Sequence, residues 1–459
     1  MKYLLLLFIT IPAQLLAQSS ITIRHINIVD VKTGAINHNQ IVYIKGNMID
    51  SIGKDNNENK KNLGIELDCP NKYLIPGLWD MHLHDIGSTE DTKQFIIPIL
   101  LANGITGLRN MWGTKEYIAL RDSVNQNLIV APRMVVGTPL VNGPLPFFQG
   151  SVTIKSTHEI PAIIDSLHNE GYDFIKVYSF LQHDLFFALA KYCNEKHISF
   201  EGHVPIGVTA EDASDAGIKS VEHLFGLRKS FSVKGEQLIK PWEDEMLGTS
   251  TSQFEVLLKS ESSTLQFDTI KAKTVTAILI ANHTPVVPTL VACIGYTFNR
   301  DTLMQSASMA YVPRALKQYW YDTRGMMNFE KDMFKNFSQM LSFIHKQGMM
   351  IMAGTDCENP FVVPGFSLHD ELELYVKAGL TSLEALQTAT LNPAIFLHNE
   401  KELGTVTKGK LADLVILEKN PLLDIKNTKS INAVIMNGHL IDKNQINQFL
   451  EQLKERALK

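Results

Sequence analysis

The chain has 459 residues, of which 45% are hydrophobic and 20% charged, a balance typical of globular proteins that argues against long disordered segments. Its formal net charge of −5 gives no electrostatic reason to bind nucleic acid or an anionic membrane surface. The length accommodates two or three ordinary domains, or one large barrel with a smaller appendage.

The first residues have the composition of a secretory signal. Lys2 precedes a largely apolar run over residues 4–11, and the small residue Ala17 follows. We therefore predict a signal peptide over residues 1–17, and export to the periplasm or the medium. No later run reaches the roughly 20 apolar residues that a membrane span needs, so no span is predicted. The four cysteines are widely spaced and are expected to be free thiols.

Two β-rich regions lie at opposite ends of the chain. Residues 18–73 and 401–445 contain short runs rich in Val and Ile, separated by Gly and Asn, which is typical of antiparallel strands. We predict that the two regions form one small β-sandwich domain. A polar amphipathic helix is predicted to follow over residues 446–459.

The central region, residues 74–400, alternates short apolar strands with amphipathic helices, which predicts parallel βα units. The strands are expected at residues 78–84, 105–110, 134–137, 174–178, 198–203, 219–223, 285–290 and 349–354. Eight such units predict an α/β fold of the (β/α)8 (TIM) barrel type. A doubly wound open sheet is the alternative, disfavoured because no Gly-rich phosphate motif follows the first strand. The long connections 224–284 and 291–345 are predicted to form lids or binding surfaces.

Five of the predicted strands carry a metal-ligand type of residue at or near their C-terminal ends. The first ends with His82 and His84, and because alternate strand residues share a face, both imidazoles are expected to point the same way. Lys176 lies within the fourth strand, where an amine is costly unless it is paired or neutral. The remaining residues of this set are His203, His223 and Asp356.

Each of these residues, taken alone, is more simply a core residue or a cap. Together, imidazoles and a carboxylate without thiolates suit zinc, with manganese, iron or nickel as alternatives. A desolvated neutral lysine can react with carbon dioxide to give a carbamate, which is an anionic oxygen ligand. We therefore predict two divalent metal ions, about 3.5–4 Å apart and bridged by a carbamate on Lys176, with zinc as the preferred candidate.

With these six residues the chain resembles the binuclear members of the amidohydrolase superfamily. More narrowly, it is similar to the imidazolonepropionase-like and Xaa-Pro or Xaa-Arg dipeptidase branch. The resemblance runs from about residue 22 to residue 445. Its further motifs lie at residues 76–82, 104–106, 221–223, 287–290, 353–356, 383–394 and 409–415.

The resemblance implies a role for each residue of the set. His82, His84 and Asp356 would hold one metal, and His203 and His223 the other. Carboxylated Lys176 would bridge them. Asp356 would also be the catalytic residue that accepts a proton from the attacking hydroxide and passes it to the departing nitrogen.

The substrate class is inferred by comparing this chain with members of the family that it resembles. Deaminating relatives carry a glutamate shortly after the strand-five histidine, whereas residues 204–207 after His203 read Val-Pro-Ile-Gly. This favours hydrolysis of an amide, peptide or lactone bond. We predict an exported amidohydrolase that acts on dipeptides or N-acyl amino acids. A lactonase or cyclic-amide hydrolase, and a non-catalytic binding protein on an inactive scaffold, remain alternatives.

A small-molecule substrate with a carboxylate needs a cationic or hydrogen-bonding partner. Arg228, Arg109 and Tyr178 are the candidates, because each lies near the C-terminal end of a predicted strand. For each of them an ordinary structural role is the competing interpretation. The sequence leaves the oligomeric state open, a homo-oligomer included.

Overall fold

The computed structural model describes residues 20–56, 64–84, 92–145, 148–248, 253–262, 265–323, 332–357 and 359–458. The predicted signal peptide, residues 1–17, lies outside the described residues. Within them, no helix has both the length and the apolar character that crossing a membrane requires.

Strands from both ends of the chain form one mixed sheet. The N-terminal strands are β1 (Ser20–Val29), β2 (Ile36–Lys45), β3 (Met48–Lys54), β4 (Ile65–Asp68) and β5 (Tyr73–Pro76). The C-terminal strands are β15 (Leu414–Leu417), β16 (Ile431–Met436) and β17 (His439–Ile441). The order is β17-β16-β15-β5-β1-β2-β3, with β4 also paired to β1.

The two ends meet where β5 pairs antiparallel with β15, with Leu74 opposite Ile416. Both of these side chains are buried in one apolar cluster, together with Ile23 of β1. Apolar residues from opposite ends of the sequence therefore share a core, as the sequence predicted. The two-layer sandwich and the domain boundaries at residues 73, 400 and 445 stay predictions.

The central region forms parallel strands. They are β6 (Leu78–Leu83), β7 (Ile105–Asn110), β8 (Arg133–Val136), β9 (Val141–Asn142), β10 (Val152–Thr153), β11 (Ile175–Val177), β12 (Phe200–Gly202), β13 (Val221–Glu222) and β14 (Val286–Val287). They pair as β6-β7-β8 and as β10-β9-β11-β12-β13-β14. Seven of the eight predicted core strands are thus present, and the short strands β9 and β10 were not predicted.

The eighth predicted strand, residues 349–354, differs from the prediction. It forms one isolated parallel bridge, with a second just beyond it, rather than a continuous strand. Ile351 pairs with Val286 of β14, and Cys357 pairs with Leu83 of β6. A third isolated bridge joins Gly137, just after β8, to Phe174, just before β11.

Helices alternate with the parallel strands, so the α/β class is confirmed. They are α1 (Ile97–Ala102), α2 (Lys115–Asn125), α3 (Ile160–Asn169), α4 (His183–Lys196), α5 (Ala210–Asp215), α6 (Leu227–Ser230), α7 (Val233–Leu247), α8 (Gln253–Ser260), α9 (Thr269–Ala281), α10 (Leu290–Thr297), α11 (Arg300–Met304), α12 (Arg314–Thr323), α13 (Met333–Lys346), α14 (Phe366–Lys377), α15 (Ser382–Thr388), α16 (Leu391–Phe396) and α17 (Lys443–Ala457). The long connections contain α6–α9 and α10–α13, and are therefore helical over much of their described length.

Local sequence explains several helix boundaries. The Thr381 hydroxyl accepts from the backbone N–H of Glu384 while the Glu384 carboxylate accepts from that of Thr381, a capping box that starts α15. Asp442 and Gln445 form the same arrangement at the start of α17. These reciprocal bonds satisfy backbone donors that the first turn of a helix leaves without partners.

Candidate metal centre

The six predicted residues come from neighbouring strand ends. His82 is on β6 and His84 follows it directly, while Lys176 is the middle residue of β11. His203 and His223 each come one residue after a strand, β12 and β13 respectively. Asp356 precedes Cys357, which pairs with β6. Parallel strands place their C-terminal residues at a common edge, so all six converge.

Three of these residues meet within ligand distance of one another. The Nε2 atoms of His82 and His84 are 3.2 Å apart. Oδ1 of Asp356 lies 3.4 Å from Nε2 of His82 and 3.1 Å from Nε2 of His84. The three ligand atoms therefore form a group that could hold a metal ion.

The other two histidines lie beside this group. The rings of His82 and His223 have centroids 4.3 Å apart, and those of His223 and His203 are 4.7 Å apart. Oδ2 of Asp356 lies 3.6 Å from Nδ1 of His223. The Asp356 carboxylate thus has one oxygen toward each histidine pair.

Lys176 contributes an amine that has no hydrogen-bond partner among the described residues. Its side chain is 0% exposed, and Nζ makes no hydrogen bond with any described residue. Burial lowers the pKa of this lysine to about 8, although the charges of Glu222 and Asp356 act in the opposite direction. A fraction of the amine is therefore neutral near pH 7, which is the form that can react with carbon dioxide.

The ionisation states of the other groups suit metal binding. Burial lowers the pKa of His82 and of His203 well below the ordinary value, and that of His223 to about 3. Burial raises the pKa of Asp356, but His223 and His84 lower it by more, so its net pKa is below the ordinary value. Neutral imidazoles beside an ionised carboxylate are the forms that coordinate metal ions.

The backbone at the site is shaped for close approach. Gly202, just before His203, has φ +134°, and a Cβ there would lie 2.2 Å from the carbonyl oxygen of Val177. A Cβ on Gly354 would lie 2.7 Å from the Cβ of His82. Two ligand-type residues, His223 (φ 62°) and Asp356 (φ 58°), adopt left-handed backbone conformations that non-glycine residues rarely occupy.

The sequence pattern that defines the family described as "Amidohydrolase family" matches residues 73–441, which covers every residue of the site. The chain belongs to the amidohydrolase family. This confirms the predicted family and, with it, a hydrolase that acts on carbon–nitrogen bonds.

Individual relatives match this chain in sequence only over short segments. An adenine deaminase of Clostridium botulinum (strain Loch Maree / Type A3) is 38% identical over 71 residues, 16% of this chain and 11% of the relative. Ochratoxinase of Aspergillus niger is 37% identical over 91 residues, 19% of this chain and 18% of the relative. The chain therefore aligns with less than a fifth of the length of either enzyme.

Solved structures match over nearly the whole chain. Bottromycin amidohydrolase is 20% identical with a TM-score of 0.70, over 95% of this chain and 90% of that one. A Xaa-Pro dipeptidase structure with bound methionine is 18% identical with a TM-score of 0.64, over 92% and 100%. A. niger ochratoxinase is 17% identical with a TM-score of 0.60, over 93% and 96%. At these identities the likeness establishes a shared fold.

A layer of hydrogen-bonding groups behind the amidohydrolase site escaped the sequence analysis. Glu222 Oε2 lies 2.7 Å from Nδ1 of His82. Ser179 Oγ lies 2.7 Å from Nδ1 of His203, and Thr289 Oγ1 lies 2.8 Å from Nδ1 of His223. Each contact occupies one ring nitrogen and thereby fixes the orientation of its imidazole. A signal for Glu222 was present, because a carboxylate within an apolar strand needs a partner as much as Lys176 does.

The structure corrects the interpretation of Arg109 as a substrate-binding residue. Its side chain is 0% exposed and its guanidinium donates to the carboxylates of Glu201 and Glu222 and to the carbonyl oxygen of Met81. It also donates to the hydroxyl of Ser220. Arg109 therefore neutralises buried carboxylates beneath the site, and its donors are engaged within the protein.

The side chain of Arg228 likewise bonds to backbone groups away from the ligand-type residues. It is 8% exposed, and it donates from Nε to the carbonyl oxygen of Ser262 and from Nη2 to that of Leu265. These bonds attach α6 to the segment that follows α8. Of the three candidates for substrate binding, only Tyr178 lies beside the ligand-type residues: its ring is tilted by 37° over His203, with centroids 4.3 Å apart.

Proposed function

We propose that this chain is a binuclear, metal-dependent amidohydrolase that is exported and cleaves the amide bond of dipeptides or N-acyl amino acids. The observation that carries the proposal is Lys176, a fully buried amine without a partner among the described residues, surrounded by histidines and Asp356. A buried polar atom is normally satisfied, and a group that is bound there in the active protein accounts for the exception.

The donor set fits two divalent metal ions, with zinc as the first candidate. His82, His84 and Asp356 would hold one ion, His203 and His223 the other, and a carbamate on Lys176 would bridge them. When bound, the ions supply a water whose pKa is lowered toward neutrality and a Lewis acid for the scissile carbonyl.

Asp356 is the proposed proton carrier. Its depressed pKa keeps it ionised at neutral pH, so its carboxylate can accept a proton from the attacking water. It then donates that proton to the departing nitrogen, which leaves as an amine. Its position between the two histidine pairs, 3.1 Å from His84 and 3.6 Å from His223, lets one carboxylate serve both steps.

We propose further that the parallel strands close into a (β/α)8 barrel. The isolated bridges support this, because they join β8 to the strand β11, β14 to Ile351, and Cys357 back to β6. The fold shared with a Xaa-Pro dipeptidase structure also supports it. The alternative, an open doubly wound sheet, would leave β6 without this last partner.

The choice of substrate rests on two supports. One is that structures of a Xaa-Pro dipeptidase and of ochratoxinase share the fold. The other is the Val-Pro-Ile-Gly sequence after His203, which lacks the glutamate expected of a deaminase. Export rests on the composition of residues 1–17. Lactones and cyclic amides, and ligand binding without turnover, are the alternatives that the same experiment separates.

The test measures metal content and turnover in the purified full chain. We expect about two zinc ions per chain, and hydrolysis of at least one dipeptide or N-acyl amino acid in a panel that also contains lactones and cyclic amides. Chelation should remove both the metal and the activity. Zinc with bicarbonate should restore activity, and carbon-13 bicarbonate should label Lys176. His203→Asn should lose metal, whereas the control His183→Asn, whose side chain is 50% exposed on α4, should not.

Three outcomes would contradict the proposal in different ways. Fewer than one metal ion per chain without turnover would favour a binding protein. Turnover of lactones alone would favour the alternative hydrolase. A secreted product that retains residues 1–17, measured by mass spectrometry, would exclude the cleaved signal peptide.

A further inference from the structure

Aromatic side chains form a continuous wall on one side of the candidate metal centre. We call Trp112, Phe148 and Tyr178 the ring wall. Trp112 lies just after β7, Phe148 between β9 and β10, and Tyr178 directly after β11. Each therefore comes from the same edge of the parallel strands as the ligand-type residues.

The ring wall connects the two histidine pairs. The ring centroids of His84 and Trp112 are 6.3 Å apart, those of Trp112 and Phe148 5.7 Å, and those of Phe148 and Tyr178 5.8 Å. Tyr178 then contacts His203, with centroids 4.3 Å apart. A group bound against the histidines would lie within reach of all three rings.

The back of the ring wall is apolar and packed, which fixes the rings in place. Tyr178 belongs to a buried cluster with Leu140, Phe180, Ile206 and Trp242, and the wall's other two rings pack against it. Trp112 and Phe148 themselves are only half-buried, so they retain accessible ring surface. Covering such surface with an apolar group is favourable by about 25 cal/mol for each Å² removed from water.

The described charged groups near the ring wall do not favour a carboxylate as its partner. Arg109 and Arg228, the two cations proposed from the sequence, both donate to other groups of the protein. Burial raises the pKa of the Tyr178 phenol in the wall, and the Asp356 carboxylate lies close enough to raise it further, so it would also repel a second carboxylate.

We infer that the ring wall is a specificity subsite for an aromatic or large apolar, uncharged group that lies next to the scissile amide. The inference rests on the proposed function for the identity of the scissile bond, but the binding surface itself does not depend on turnover. It narrows the substrates to amides with a phenylalanine-like group, as opposed to those with a small or acidic one.

The test compares matched substrates and one wall variant. N-acetyl-L-phenylalanine and N-acetyl-L-alanine differ by a phenyl ring, and we expect kcat/KM to favour the first by about tenfold or more, in line with the value of aromatic contacts. Phe148→Ala, or the milder Phe148→Leu, should bring this ratio toward one. The control Phe187→Ala removes another half-buried ring, on α4, and should leave the ratio unchanged.

A binding measurement separates failure of the subsite from failure of the proposed function. Calorimetry with 3-phenylpropanol and 1-propanol, neither of which can be hydrolysed, should show tighter binding of the aromatic alcohol by wild type and loss of the difference in Phe148→Ala. If neither amide is cleaved but the alcohol preference is present, the subsite stands and the hydrolase proposal fails. Equal kcat/KM for both amides, or equal affinity for both alcohols, overturns the subsite.

Discussion

Two buried lysines in this molecule have opposite surroundings. Lys176 and Lys229 are 0% and 1% exposed, and burial lowers the pKa of both. Nζ of Lys229 donates to the carbonyl oxygens of Pro205 and Ile206, at 2.6 and 2.9 Å. Nζ of Lys176 donates to none of the described residues.

The difference distinguishes Lys229, an amine with a structural role, from Lys176, whose burial the described hydrogen bonds do not compensate. Lys229, on α6, fastens the loop that follows His203 and so compensates its own burial with two hydrogen bonds. Lys176 receives no such compensation, and an unsatisfied buried polar group costs about 1–3 kcal/mol. Its presence reduces stability unless something binds there, which is what a carbamate in contact with metal ions would do.

The largest expected effect follows from replacing Lys176 with methionine. Lys176→Met should lower kcat/KM by roughly a thousandfold or more, because the proposed bridging ligand would be lost. The free energy of unfolding of the metal-free protein, from urea titration, should stay within about 1 kcal/mol of wild type or rise, because an apolar chain replaces an unpaired amine.

Metal analysis of the Lys176→Met variant tests whether the loss of activity comes from loss of a bridging ligand. A loss of activity with two zinc ions still bound would mean that Lys176 does not bridge them. A large loss of stability in the metal-free variant would mean that the amine has a partner of the kind that Lys229 has.

Lys229→Met should give the reverse pattern. The carbonyl oxygens of Pro205 and Ile206 would be left without donors, so the free energy of unfolding should fall by about 1–3 kcal/mol. Metal content should be retained. Lys191→Met, at a lysine whose side chain is 78% exposed, is the matched control and should change stability by less than about 0.5 kcal/mol. Equal effects of Lys176→Met and Lys229→Met on stability and on metal content would remove the distinction between these two lysines.

The smallest expected effect sharpens the account of Lys229. Burial raises the pKa of the nearby Glu261, whose Oε1 accepts from the backbone N–H of Gly226 at 2.8 Å. Its Oε2 has no partner among the described residues. Glu261→Gln keeps the accepting oxygen, so the free energy of unfolding, measured by urea titration at pH 7, should change by less than about 1 kcal/mol. A loss as large as that of Lys229→Met would instead mean that charge pairing with Lys229 holds this region.

Local sequence signals predicted the residues that the structure brings together. The two-residue spacing of His82 and His84 and the lysine within an apolar strand are visible in short windows, and so are the strand ends before His203 and His223. The role of Arg109 was not visible, because its partners Glu201 and Glu222 are 92 and 113 residues away in the sequence. Only the folded arrangement reveals that its donors are already engaged.

The eighth strand shows a second limit of the sequence. Its apolar run over residues 349–354 has the composition of a strand, but within it only Ile351 forms a bridge, and Cys357 beyond it forms another. Asp356, two residues beyond this run, has a left-handed backbone, which a regular strand does not contain. The ring wall was invisible as a whole, because Trp112, Phe148 and Tyr178 belong to separate βα units that align only when the strands are paired.

The pairing of β5 with β15 has a consequence for synthesis. The edge of β5 finds its partner about 340 positions later in the chain, at Leu414–Leu417. A growing polypeptide therefore presents an open strand edge until residues 414–417 have left the ribosome, an interval during which strand-to-strand association with other chains is a hazard. Holding factors that bind unfolded segments would be most useful to this protein in that interval.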